Sequence, residues 1–119
     1  MTNQELEAYC LGKKGALKSY PFDKITAVYK VCNKMFALSN DGDSPVRVNL
    51  KSDPVYSLEL RSIYESVIPG YHMSKKHWNT VICNQEVDDT LVKEWIDDSY
   101  TLIFTSLTKK LQNEINLKG

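Results

Sequence analysis

The run Ala27-Val28-Tyr29-Lys30-Val31-Cys32-Asn33-Lys34-Met35-Phe36-Ala37-Leu38, with Val46-Arg47-Val48-Asn49-Leu50 close behind it, decides the fold. Its β-branched, aromatic and aliphatic residues suit a pleated, half-buried surface, and Asn33-Lys34 marks a tight turn. Residues 27–32 and 35–38 therefore read as a hairpin. Asn40-Asp41-Gly42-Asp43-Ser44-Pro45 then packs turn formers together, and strict alternation puts Val46, Val48 and Leu50 on one face of a third strand. Strands joined by such short turns pair antiparallel.

Helical signals lie on both sides of this unit. Thr2-Asn3-Gln4-Glu5 matches a capping box, with Leu6, Tyr9 and Cys10 at helical spacing, so a short first helix ends by Gly12. Residues 12–23 contain Gly15 and Pro21, lack a clean period and read as a connecting loop. Asp53-Pro54 reads as an N-cap with proline at the first helical position, and Tyr56, Leu60, Ile63, Tyr64 and Val67 carry that helix toward Pro69-Gly70. Residues 71–73 and 78–83 are strand-like and flank Ser74-Lys75-Lys76-His77, which predicts a second hairpin with a basic tip.

From Asp88 to about Leu111 an apolar stripe of helical period includes Leu91, Val92, Trp95, Ile96, Ser99, Leu102, Ile103 and Leu107. Asp88 and Asp89 at its start, and Lys109 and Lys110 near its end, complement the helix dipole. The expected fold is α+β: an antiparallel sheet of about five strands with helices packed on one face, in the order α-β-β-β-α-β-β-α. A single domain is expected over residues 1–119.

Apolar residues form 42% and charged residues 25% of the 119-residue chain, a globular balance with enough material for one core. The start carries no leader-like pattern and no run is long and apolar enough for a membrane span, which predicts a cytoplasmic protein with no membrane partner. Cys10, Cys32 and Cys83 are odd in number and widely spaced; they suit reduced thiols and read as small core residues. Fifteen basic and fifteen acidic residues cancel. Their distribution does not: Lys13, Lys14, Lys18, Lys24, Lys30 and Lys34 face only Asp23 in that segment, whereas residues 86–100 are acidic. A basic side and an acidic side are expected.

The most informative run spans residues 68–81. It holds both histidines, one of the two tryptophans, and no acid between Glu65 and Glu86. Lysines neutralise phosphates, flat rings stack on bases and a protruding hairpin enters a groove, so the run has the composition of a nucleic-acid contact. The same residues serve equally as hairpin-packing aromatics and a solvated turn. His72 and His77 are the candidates for acid–base or metal chemistry, but a metal site wants a third ligand, and nothing in the sequence requires Cys83 or Asp53 to be brought near them. No nucleophile elbow, phosphate-cradling glycine loop, H-E-x-x-H or EF-hand loop is present. The expectation is a binding module and not an enzyme, with no cofactor and no metal.

These pieces resemble the MmcQ/YjbR family. The resemblance covers nearly the whole length: Cys10-Leu11 with Gly15, Tyr20-Pro21-Phe22, Lys34-Met35-Phe36-Ala37-Leu38, Lys51 with Asp53-Pro54, Leu60-Arg61, Pro69-Gly70-Tyr71-His72-Met73, Lys75-Lys76-His77-Trp78-Asn79-Thr80-Val81 and Ser99-Tyr100. Ser74 stands where members often carry asparagine, and Val55 where a glutamate commonly follows the proline. The resemblance implies a CyaY/frataxin-like α+β sandwich and bacterial DNA binding through a proposed double-wing motif, in which two β-hairpins grip DNA. The corresponding nucleic-acid contacts here are Lys75, Lys76, His77, His72, Trp78, Asn79, Lys34, Arg47 and Lys51. The alternative is a small-ligand or protein-interaction groove lined by Arg61, Tyr71, His72 and Trp78. Iron binding, which the frataxin-like fold brings to mind, would rest on Glu5 and Glu7 alone and does not follow from fold.

Overall fold

A computed structural model describes residues 1–70 and 73–118. Ten elements follow one another: α1 (Asn3–Leu11), β1 (Ala16–Ser19), β2 (Thr26–Val31), β3 (Lys34–Asn40), β4 (Arg47–Lys51), α2 (Pro54–Ile63), β5 (Val67–Pro69), β6 (Trp78–Ile82), α3 (Asp89–Ser106) and α4 (Lys109–Lys118). The strands form one antiparallel sheet in the order β1-β2-β3-β4-β6-β5. The predicted class and the packing of helices against one face hold. The sheet has six strands rather than about five.

The additional strand is β1, within the stretch expected to be a loop. A four-residue edge strand has one neighbour and little periodicity to show, and Ala16–Ser19 becomes a strand by pairing with β2. The β2–β3 turn lies at Cys32-Asn33, one residue earlier than expected, with positive φ at both (48° and 64°). That is the backbone twist a two-residue hairpin prefers.

Two helical predictions need correction. α2 stops at Ile63, and Val67, assigned to it from spacing, opens β5. Tyr64 is extended, and the Glu86 carboxylate accepts the N–H groups of Glu65 and Ser66, holding the chain out of a further helical turn. β5 at Val67–Pro69 is thus a partner of β6; of the strand expected at 71–73, Tyr71 and His72 lie outside the described residues. Gly70 belongs where it is because a Cβ there would come within 2.8 Å of the Trp78 Cβ.

The long final helix is two. Leu107 is extended, and Thr108 restarts the helix by accepting the Leu111 N–H on its hydroxyl. Lys109 and Lys110 consequently occupy the first turn of α4, where the dipole disfavours them, rather than the last turn of α3.

Strand alternation divides the side chains. Ala27, Tyr29, Val31, Phe36, Ala37, Val48, Leu50, Val67 and Val81 meet Leu6 and Cys10 of α1, Leu60 of α2, Val92, Trp95, Ile96 and Ile103 of α3, and Ile115 of α4 in the main core. At about 25 cal/mol per Å² of apolar surface removed from water, this packing is the main force holding helices to sheet. Ser99, in the middle of the α3 stripe, is fully buried yet polar: its hydroxyl donates to the Phe36 carbonyl at 2.6 Å and accepts the Lys51 N–H at 2.9 Å. It clips α3 to two neighbouring strands. On the opposite face Val28, Leu38 and Trp78 form a second, smaller cluster with Met35 and Met73. Cys32 is exposed at its turn, correcting the expectation that all three thiols are core residues; Cys10 and Cys83 are buried.

Candidate nucleic-acid interface

Antiparallel order fixes which loops share an end of the sheet. The β2–β3 turn, the exit of β4 and the β5–β6 connection all fall at one end, because β3 leaves it, β4 returns to it and β6 leaves it again. The connections β1–β2 and β3–β4 fall at the other.

At the first end the connection after Gly70 closes in a turn in which the His77 and Trp78 N–H groups donate to the Ser74 carbonyl at 3.2 and 2.9 Å. Lys75 and Lys76 project from this turn, exposed. The Ser52 N–H donates to the His77 carbonyl at 2.8 Å, and Lys51 stands opposite Trp78 in the sheet register, so Lys51 sits beside the tip. Lys34 lies at the same end on the helical side, its ammonium 3.3 Å from the Ser106 hydroxyl. Arg47 starts β4 and is therefore at the opposite end of the sheet.

Asn79, Trp78 and Arg61 are structural, and His72 lies outside the described residues. Asn79 is 3% exposed; its Nδ2 donates to the Ser57 carbonyl and its Oδ1 accepts from Arg61. Trp78 is 8% exposed, its indole packed into the Val28–Leu38 cluster. Neither offers the contact face that the sequence implied. Arg61 does not open a fork to a ligand: its guanidinium serves Asn79 Oδ1 and the carbonyl oxygens of Lys75 and Trp78. Arg61 and the Trp78 indole lie on opposite faces of β6, and the other two residues of the alternative groove, Tyr71 and His72, lie outside the described residues. Cys83 follows β6 at the end away from His77 and is no ligand partner for it.

Charge segregates along the strands. The basic end carries Lys34, Lys51, Lys75 and Lys76, and among the described residues no carboxylate pairs with any of the four. The far end gathers Asp23, Asp41 and Asp43, with Asp88 and Asp89 beside them, since Asp89 pairs with the N-terminus at 3.0 Å and Asn3 reaches the Asp43 carbonyl. Of the six lysines expected to form the basic side, Lys34 lies at this end, joined there by Lys51, Lys75 and Lys76. Lys13 and Lys18 are neutralised by Asp97 and Glu7; burial lowers the Lys13 pKa, but Asp97 and Tyr9 together raise it, leaving a net rise. Arg61, expected from sequence to line a ligand groove, instead holds the tip from α2 together with Ser57, which sequence showed only as an ordinary helix residue.

A short antiparallel α+β sheet, helices on one face and cations on one rim, is the class of protein that fold and site define. The YjbR family model matches residues 11–102, and the chain belongs to that family. It is 40% identical over 96 residues to the uncharacterised protein YbdF of Escherichia coli O157:H7, covering 81% of this chain and 79% of that one. It is 33% identical over 100 residues to the uncharacterised protein YjbR of Escherichia coli strain K12, covering 84% and 85%. Among solved structures it is similar to protein DR2400 of Deinococcus radiodurans, with TM-score 0.90, 36% identity and coverage of 97% and 88%. A protein from Pseudomonas syringae gives TM-score 0.74 at 27% identity, covering 87% of this chain and 99% of that one. Among the described residues no helix is long and apolar enough to cross a membrane.

Proposed function

We propose that the chain is a DNA-binding module that grips the phosphate backbone with the basic end of its sheet. The observation that carries this reading is the convergence of Lys51, Lys75, Lys76 and His77 at one tip, with Lys34 on the same end and no carboxylate paired with any of these lysines among the described residues. Phosphate contacts of this kind position a protein without reading sequence. The buried Trp78 and Asn79 restrict the contact to charge: stacking and base-edge readout by these two do not belong to it. Asp53 and Asp98 near the same end limit the field, so the affinity expected is that of a modest electrostatic binder.

Fluorescence anisotropy of a labelled mixed-sequence duplex tests the reading. With three or four phosphates neutralised, log affinity should fall against log salt with a slope of roughly −3 to −4. Lys75→Ala with Lys76→Ala should make the slope shallower by about two. Affinity independent of salt, or unchanged in the double variant, removes the proposal.

A further inference from the structure

The uncovered sheet face holds a concavity that the basic end does not use. It encloses about 1030 Å³, the scale of small-molecule sites. Met35, Leu38 and Ile68 provide an apolar floor, with Asn49 and Thr80 hydrogen-bonded to each other beside them. Phe22 and Ile25 rise at one wall with 64% and 55% of their surface in water, and Met73 and Pro69 stand at the other. Large apolar side chains left in solvent at the rim of a concave, half-polar surface are what a ligand would cover.

Arg47 stands at the mouth, away from the lysine-bearing end, and is the one cation among the described lining residues. No carboxylate pairs with it among the described residues. Asp23 also lines the mouth as an ionised carboxylate, held in its own turn by the N–H groups of Ile25 and Thr26 at 2.9 and 2.6 Å and the Thr26 hydroxyl at 2.9 Å. Asp43 adds a second acid on the same rim. Arg47 lies two strand positions before Asn49, which pairs with Leu38, and Met35 lies three positions from Leu38 on the other side. The apolar floor thus runs roughly 15 Å along the strands from the Arg47 backbone.

We propose that this groove binds an amphipathic monoanion, its carboxylate on Arg47 and its hydrocarbon body along Leu38, Ile68 and Met35 under Phe22 and Ile25. This site is independent of the phosphate contact proposed above. Arginine suits the head group because its planar fork matches a carboxylate.

Calorimetric titration of the full chain with decanoate below its micellar range, and with decanol and decyltrimethylammonium as controls, tests the assignment. Saturable one-to-one binding of decanoate is expected, with the cationic amphiphile at least tenfold weaker. Arg47→Gln should weaken decanoate about tenfold, Ile25→Ser should weaken all three, and Asp43→Asn should tighten decanoate by removing a like charge. Lys75→Ala with Lys76→Ala should leave it unchanged. Amide shifts in an NMR titration should centre on Thr26, Leu38, Asn49 and Thr80. Equal binding of all three amphiphiles, wild-type affinity in Arg47→Gln, or a concentration-dependent dimer abolished by Phe22→Ser without decanoate binding would overturn the proposal.

Discussion

Nε of Arg61 donates to Oδ1 of Asn79 at 2.6 Å, and this contact joins a helix to the strand that launches the basic tip. The same guanidinium reaches the carbonyls of Lys75 and Trp78, so one side chain on α2 fixes Asn79 in the sheet and the turn that presents Lys75 and Lys76. Asn79 transmits the connection back to α2 through the Ser57 carbonyl.

Removing the guanidinium should therefore loosen the tip more than the fold. Arg61→Ala leaves a part-buried amide oxygen and the Lys75 carbonyl without their donor, while the Trp78 carbonyl keeps the Gly70 N–H, a loss of about 1–3 kcal/mol. Trypsin cleavage after Lys75 or Lys76 should accelerate under native conditions by more than the change in urea midpoint accounts for. Arg61→Lys, which keeps charge but not the fork, should recover only part of the protection. Cleavage rates equal to wild type would show that the tip holds itself.

Ser99 should be unusually costly to change for a small residue. Ser99→Ala keeps the volume but strands the Phe36 carbonyl and the Lys51 N–H in a dry site, a destabilisation of about 1–3 kcal/mol in urea unfolding. Ser106→Ala, whose hydroxyl donates to its own helix at Ile103, should cost much less.

Acid should weaken the fold through three carboxylates. Backbone and hydroxyl hydrogen bonds from Thr26 with the Ile25 N–H lower the Asp23 pKa, those of Thr2 lower Glu5, and those of Ser66 lower Glu86. Each folded-state pKa lies below its ordinary value of 3.8 for Asp or 4.5 for Glu. The stabilisation is therefore complete above the unfolded value and lost as pH falls through the folded one. Melting temperature should decline below about pH 4.5, and Glu86→Gln should flatten part of that decline.

The thiols should separate cleanly by reactivity. Burial pushes Cys10 up to about 12 and Cys83 up to about 11, and both are shielded, whereas Cys32 is exposed at the β2–β3 turn. Thiolate is the reactive form. Native protein at pH 8 should give one fast equivalent with a thiol-exchange reagent, lost in Cys32→Ser, and three on unfolding. Fast reaction of Cys10 would contradict its burial.

Local chemistry by itself determined the hairpin at residues 27–38, the α1 capping box, the start of α3 at Asp88 and the α+β class, because caps, turns and two- or 3.6-residue periods act over a few neighbours. Tertiary structure decided the rest. Val67 and Leu107 fit a helical period but are pulled out of it, Val67 by pairing with Val81 and Leu107 at the α3–α4 break that Thr108 caps. Lys51, Lys75 and Lys76 meet, and Arg47 does not, only because antiparallel order places the two ends of β4 at opposite rims. Trp78, Asn79 and Arg61 carry side chains common at binding sites, yet burial and hydrogen bonding commit them to the scaffold. Composition tells which groups are capable of recognition; long-range packing selects which of them still face water.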